Sequence, residues 1–269
     1  MHPQVAPSFD PRVDVLMTPR PIPIAPGQPV EAAAALMSTC HVRHLPVVVD
    51  AALTGILSLR DVIAAPDGAR VSEIMAAPAQ TIDPWQPLTV ACERMLTGRF
   101  SCLPVLDGGA LTGIFTATDA LRFAASLLEE DGRTLRRAPP AGQLMTPRPL
   151  VVVEPETTLA SAWRMMRDAG VRHLPVMRDD AIVGVLSDRD VLAAGRDWMR
   201  EAAEHDEHVL LVADAMSVRL STISADAPAS DAAQILLRRR VGALPVLRGR
   251  ELRGMLTVSD FLYFILARA

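Results

Sequence analysis

A chain of 269 residues, half of them hydrophobic, can bury a sizeable core and is expected to form more than one domain. Its 27 basic residues, all arginine, and 31 acidic residues leave a net charge of −4, which gives no general attraction to nucleic acid or to an anionic membrane surface. The cysteines Cys40, Cys92 and Cys102 have no paired or framework spacing, which argues against a disulfide scaffold or a C-x-x-C site and for a reducing, cytoplasmic setting.

Residues 1–12 are proline-rich and aperiodic and read as a flexible arm, without the basic-then-apolar pattern of a secretory signal. The stretch 13–66 follows. It runs through VDVLMTP, a short strand at 22–24, an alanine-rich helix at 30–38, a buried strand in RHLPVVV at 43–49, a partner strand in LTGILS at 53–58, and a helix from Ser58 to near Pro66. The stretch 71–128 repeats this order, with Met75 standing for Met17, a short strand at 81–84, a helix at 88–96 stopped by Gly98, and strands at 102–106 and 111–116. Residues 129–140, charged and rich in proline and glycine, read as a linker.

The stretch 141–197 opens with LMTPRPLVVV, places a helix at 159–168 before Gly170, and has strands at 173–177 and 182–187. Residues 198–211 read as a linker with helical character. The pair His205 and His208 lies there among acids, where a solvated face is a better account than a metal site. The stretch 212–268 opens at DAMS, with a helix at 230–239 and strands at 243–247 and 252–257. Its apolar tail is too short to span a bilayer.

The four stretches are copies of one unit. Each contains a glycine, two apolar residues, a Ser or Thr, two variable residues and an aspartate: GILSLRD from Gly55, GIFTATD from Gly113, GVLSDRD from Gly184 and GMLTVSD from Gly254. Pro46, Pro104, Pro175 and Pro245 each precede their heptamer glycine by nine residues. Met17, Met75, Met145 and Met216 precede those prolines by 29, 29, 30 and 29. The short joint between copies one and two, against the longer ones elsewhere, suggests pairing of one with two and of three with four.

A Ser or Thr followed three residues later by an acid, at a strand-to-helix junction, is first of all an N-cap near the capping-box pattern, with the acid at the positive end of the helix. That account needs no ligand. Aspartate has a shorter reach than the usual Glu or Gln and is less suited to closing the box. Free amides at a helix start also suit a phosphate, and a carboxylate accepting two hydrogen bonds suits a ribose diol. Copies one and three add Arg43-His44 and Arg172-His173 before LPV, with Arg60 and Arg189 beside the aspartate; copies two and four lack these. Guanidinium forks and imidazolium suit phosphates, although solvated or inter-unit ion pairs explain the arginines equally. No Ser-His-Asp set, Walker loop, metal triad or paired-carboxylate cleft emerges, and the repeats consume the chain, so an enzyme is not expected.

The order MTP, apolar strand, helix, RHLPV and the Ser/Thr-x-x-Asp heptamer resembles the CBS domain, named for cystathionine β-synthase, in four copies over residues 13–268. The resemblance implies an α/β fold of four β-α-β-β-α units, paired through their sheets into two Bateman modules. These would form a disk within one chain or between the chains of a homodimer. It also implies an adenosine nucleotide as regulatory ligand in clefts between paired units: AMP, ADP or ATP first, NAD or S-adenosylmethionine next, and no catalytic cofactor. By position, Asp61, Asp119, Asp190 and Asp260 would hold ribose hydroxyls, with Ser58, Thr116, Ser187 and Thr257 as hydroxyl partners. Ile56, Ile114, Val185 and Met255 would line the adenine slot, and Arg43, His44, Arg172, His173, Arg60 and Arg189 would face phosphates. The expected function is a cytoplasmic, non-enzymatic sensor that passes a conformational or oligomeric change to a regulated protein. Its rivals are a ligand-free CBS scaffold for dimerisation or docking, an enzyme, and a nucleic-acid binder, against which the acidic balance weighs.

Overall fold

The computed structural model describes residues 10–133, 138–194 and 209–268. Most of the arm at 1–12, part of the 129–140 linker, and most of the 198–211 connection with His205 and His208 lie outside them.

Every copy is built on one antiparallel hairpin: His44–Val49 with Ala52–Ser58, Cys102–Asp107 with Ala110–Thr116, His173–Arg178 with Ala181–Ser187, and Ala243–Arg248 with Glu251–Thr257. The first three turn through two residues with positive φ, Asp50-Ala51, Gly108-Gly109 and Asp179-Asp180, the geometry that matches strand twist. Each hairpin shifts register at the same place, after Val47, Val105, Val176 and Val246. The extra residue there is the one before the heptamer glycine, and in copies one and two its hydroxyl is satisfied locally, Thr54 donating to the Val47 carbonyl and Thr112 to that of Val105.

The expected strands at 22–24 and 81–84 shrink to single parallel bridges, Ile24 to Val47 and Ile82 to Val105. Pro23 and Pro26, and Pro84, supply no N–H to extend them. Copy three has the same bridge at Val153, and only copy four forms a two-residue strand there, Ile223–Ser224. The unit is therefore β-α-β-β-α, with its first β nearly reduced to a point.

The helix of each unit follows: Val30–Cys40, Leu88–Gly98, Leu159–Asp168 and Ala229–Arg239. Gly98 is not the stop expected from the sequence. The helix includes it, and Arg99 takes the left-handed cap at φ 56°. A Cβ at 98 would sit 1.9 Å from the Phe100 ring, so that ring would have to move to admit a side chain there. Gly170, at φ 68°, does end its helix.

The segment that opens each copy pairs with the hairpin of the partner copy. Thr18–Pro19 of copy one pairs with Ile114 and Gly113 of copy two, and Ala76 of copy two bridges Ile56 of copy one. Thr146–Pro147 of copy three pairs with Met255 and Gly254 of copy four, and Ser217 bridges Val185 in return. The exchange extends upstream: Arg12 bridges Pro87, and Asp10 caps the copy-two helix by accepting from the Thr89 N–H at 3.0 Å and its hydroxyl at 2.6 Å. Each arm ends in a methionine that lies on the partner copy's heptamer glycine. A Cβ on Gly55, Gly113, Gly184 or Gly254 would approach the sulfur of Met75, Met17, Met216 or Met145 at 2.7, 2.3, 2.5 and 2.7 Å.

Two compact bodies result. One holds copies one and two together with the final helix, Val258–Leu266; the other holds copies three and four up to Thr257. In the first, the final helix packs on Leu88–Gly98 and on the long helix Ala117–Arg133. Phe115, Met95, Leu121 and Phe261 are fully buried there. Among the described residues no helix is long and apolar enough to cross a membrane.

Candidate functional site

The heptamers lie where the second hairpin strand runs into the last helix of the unit. In copy one, Ser58 is the N-cap of Leu59–Ala64. Its N–H and its Oγ–H both donate to Asp61 Oδ2, at 2.8 and 2.6 Å, and the Asp61 N–H donates back to Ser58 Oγ at 3.3 Å. Ser187 and Asp190 repeat this at 2.7, 2.6 and 3.3 Å. Thr116 donates to Asp119 Oδ2 at 2.8 and 2.7 Å. The expectation that aspartate is less suited to closing the box is thus corrected. The N-cap N–H and hydroxyl converge on one oxygen, so the shorter side chain reaches both.

The other carboxylate oxygen separates the copies. Among the described residues no donor reaches Asp61 Oδ1. Asp119 Oδ1 accepts from Arg122 Nη1 at 2.6 Å, and the carboxylate is buried. Beside Asp190 stands the Ser217 hydroxyl, brought by the arm of copy four. Copy one receives Ala76 at the corresponding place, which has no hydroxyl to offer. In copy four the heptamer crosses between the bodies: Thr257 ends one, and Asp260 lies in the final helix of the other.

The apolar residue after the glycine divides the same way. Ile56 and Val185 are half-exposed, whereas Ile114 and Met255 are buried. The arms over Ile114 and Met255 form two-residue strands, and those over Ile56 and Val185 form single bridges.

The hairpin register brings the Arg-His pair to the cap. His44 lies opposite Ser58, and His173 opposite Ser187. The Arg43 carbonyl accepts the Leu59 N–H at 2.8 Å, and the Arg172 carbonyl accepts that of Asp188 at 3.1 Å. Among the described residues the Arg43 guanidinium has no hydrogen-bonding or charged partner. His44 Nε2 lies 3.2 Å from Ser101 Oγ of copy two. Arg189 donates to the Arg240 carbonyl at 3.0 Å, at the C-terminal end of the copy-four helix, so this guanidinium has a structural task.

A sequence profile of the CBS domain matches residues 13–68, 71–126, 141–197 and 212–267. The chain belongs to the CBS-domain family. The uncharacterized protein MJ1404 of Methanocaldococcus jannaschii is 26% identical over 270 residues, covering 94% of this chain and 61% of its own. The inosine-5'-monophosphate dehydrogenase of Thermoplasma acidophilum is 35% identical over 116 residues, covering 42% of this chain. The chain thus spans less than two thirds of the curated relatives it matches first, at 61%, 22% and 24% of their lengths. Among solved structures, protein MJ1225 of M. jannaschii superposes with a TM-score of 0.80 at 21% identity, over 94% of this chain and 99% of its own; this is a likeness of fold.

Four further residues, outside the heptamer pattern, reach the CBS heptamers. Ala76, Thr18, Ser217 and Thr146, each following an arm methionine, lie opposite the apolar residue of the partner CBS copy. The constant methionine-glycine pattern was the available signal, but its crossing between copies was not visible in the spacing. Arg122 was also missed, as was Asp188, which is 2% exposed and whose Oδ1 has no hydrogen-bond partner among the described residues.

Burial raises the pKa of both Asp119 and Asp190 above the ordinary carboxylate value, against the opposing bonds from Thr116 and Arg122 in one case and from Ser187 and Ser217 in the other. A carboxylate with a raised folded pKa contributes stability that is full below its unfolded value near 3.8 and is lost as pH rises through the folded value. The Asp119→Asn and Asp190→Asn chains are each expected to show a shallower fall of stability over that window, measured by urea unfolding from pH 3.5 upward in about half-unit steps. An unchanged slope in both would show that these carboxylates titrate normally.

Proposed function

We propose that the protein is a non-catalytic regulatory sensor that binds an adenosine-containing nucleotide, AMP, ADP or ATP before NAD or S-adenosylmethionine, at the CBS heptamers of copies one and three. The observation that carries this reading is the shared openness of those two copies. Asp61 and Asp190 are half-buried, as are Ile56 and Val185, and Arg43 and Arg172 sit at the helix start beside them. Asp61 Oδ1 is an acceptor for a diol, Ile56 offers an apolar face to a base, and Arg43 offers an uncommitted fork to a phosphate. Ligand held between paired copies would bias the contact of their exchanged arms, and so a partner protein or an oligomer, provided that it binds two arrangements with different affinity.

Calorimetric titration of nucleotide-stripped protein with AMP, ATP, NAD and S-adenosylmethionine tests the proposal. Saturable binding is expected, reduced at least about 100-fold by Asp61→Ala with Asp190→Ala, since each change removes a charge-assisted acceptor. Affinity should also weaken on acidification at a higher pH than an ordinary carboxylate would give, because Asp190 takes up its proton early. The closed capping boxes favour one alternative, a CBS scaffold in which Ser58 and Asp61 serve only the helix. Absence of binding by the well-folded native chain to all four compounds would establish it.

A further inference from the structure

We infer that Arg122 shuts the copy-two heptamer to a ribose diol by occupying the one Asp119 oxygen that the sugar would need. The inference rests on the nucleotide reading above and concerns which heptamers can act on it. In copies one, two and three, Oδ2 of the heptamer aspartate is committed to the N-cap. A diol must therefore bond to Oδ1. In copy two that oxygen already accepts a charge-assisted bond from Arg122 at 2.6 Å.

The arrangement is particular to this copy. The residue three places after the heptamer aspartate is Ala64 in copy one, Ala193 in copy three and Tyr263 in copy four, none of which carries a charge. The Asp119 side chain is only 2% exposed, while that of Arg122 is 62% exposed. The acid is thus the buried end of the pair and the arginine its lid. A neutral diol that displaced the guanidinium would leave the buried carboxylate without its counter-charge, which is strongly unfavourable.

Equilibrium dialysis with labelled AMP counts the sites per chain in the native protein, in Arg122→Ala, in Asp119→Asn and in the double variant. The substitution at 122 gives copy two the alanine that copies one and three carry, and thermal melting verifies that each chain is folded. Arg122→Ala is expected to bind one AMP more than the native chain. The double variant should lose that gain, and Asp119→Asn alone should keep the native count. Equal counts in the native and Arg122→Ala chains, or a loss of one AMP on Asp119→Asn, would overturn the inference while leaving the sensor reading intact. No AMP binding by any of the chains would overturn the inference and leave the sensor reading to the titrations with ATP, NAD and S-adenosylmethionine. A gained site over a native count of zero would support the role of Arg122 and remove AMP as the ligand of copies one and three.

Discussion

A Gly254→Val chain is expected to lose about 3 kcal/mol of stability against urea, at the upper end of what overpacking costs. At this position even a Cβ would lie 2.4 Å from the Thr146 carbonyl oxygen and 2.7 Å from the Met145 sulfur. The first obstacle is backbone, fixed by the pairing of Thr146–Pro147 with Gly254 and Met255. The arm must therefore leave the hairpin if a side chain is to enter. Gly113 provides the control. There the three atoms nearest a Cβ all belong to Met17, a flexible side chain. Adding Met17→Ala to Gly113→Val should recover most of the loss, whereas adding Met145→Ala to Gly254→Val should recover little. If Gly254→Val unfolds within about 0.5 kcal/mol of the native chain, the arm is not seated as described.

Phe261→Ala should destabilise by about 3–5 kcal/mol, as expected for truncating a buried aromatic ring. Phe261 is fully buried in the final helix, beside Leu262 and Ile265. That helix belongs by sequence to copy four but packs on Leu88–Gly98 and Ala117–Arg133 of copy two. The effect should therefore appear far from the mutation in sequence. Hydrogen exchange is expected to quicken in the helices 88–98 and 117–129 while the hairpin 173–187 keeps its protection. Loss of protection confined to residues 212–257 would mean that the final helix remains with its own copy.

The repeat, and with it the family, is legible in the residues alone. Four heptamers, each nine residues after a proline that itself follows a methionine by 29 or 30, leave one unit as the only economical account, and apolar runs rich in β-branched residues place the hairpins. The sequence also placed Ser58, Thr116 and Ser187 at helix starts, because strand-to-helix capping is a local matter settled within four residues. Local spacing could not reveal that each arm crosses to the other copy, since Met17 stands as far from its own proline as Met75 does. Only packing shows that the constant methionine and the constant glycine are partners between copies. Nor could it rank four similar heptamers. What reaches the aspartate from the arm or the next helical turn differs by copy: among the described residues no donor beyond the cap at Asp61, the Arg122 guanidinium at Asp119, and a neutral hydroxyl of Ser217 at Asp190. Tertiary structure decides this because a carboxylate has two oxygens, the local cap claims only one, and the other answers to whichever side chain the fold brings near.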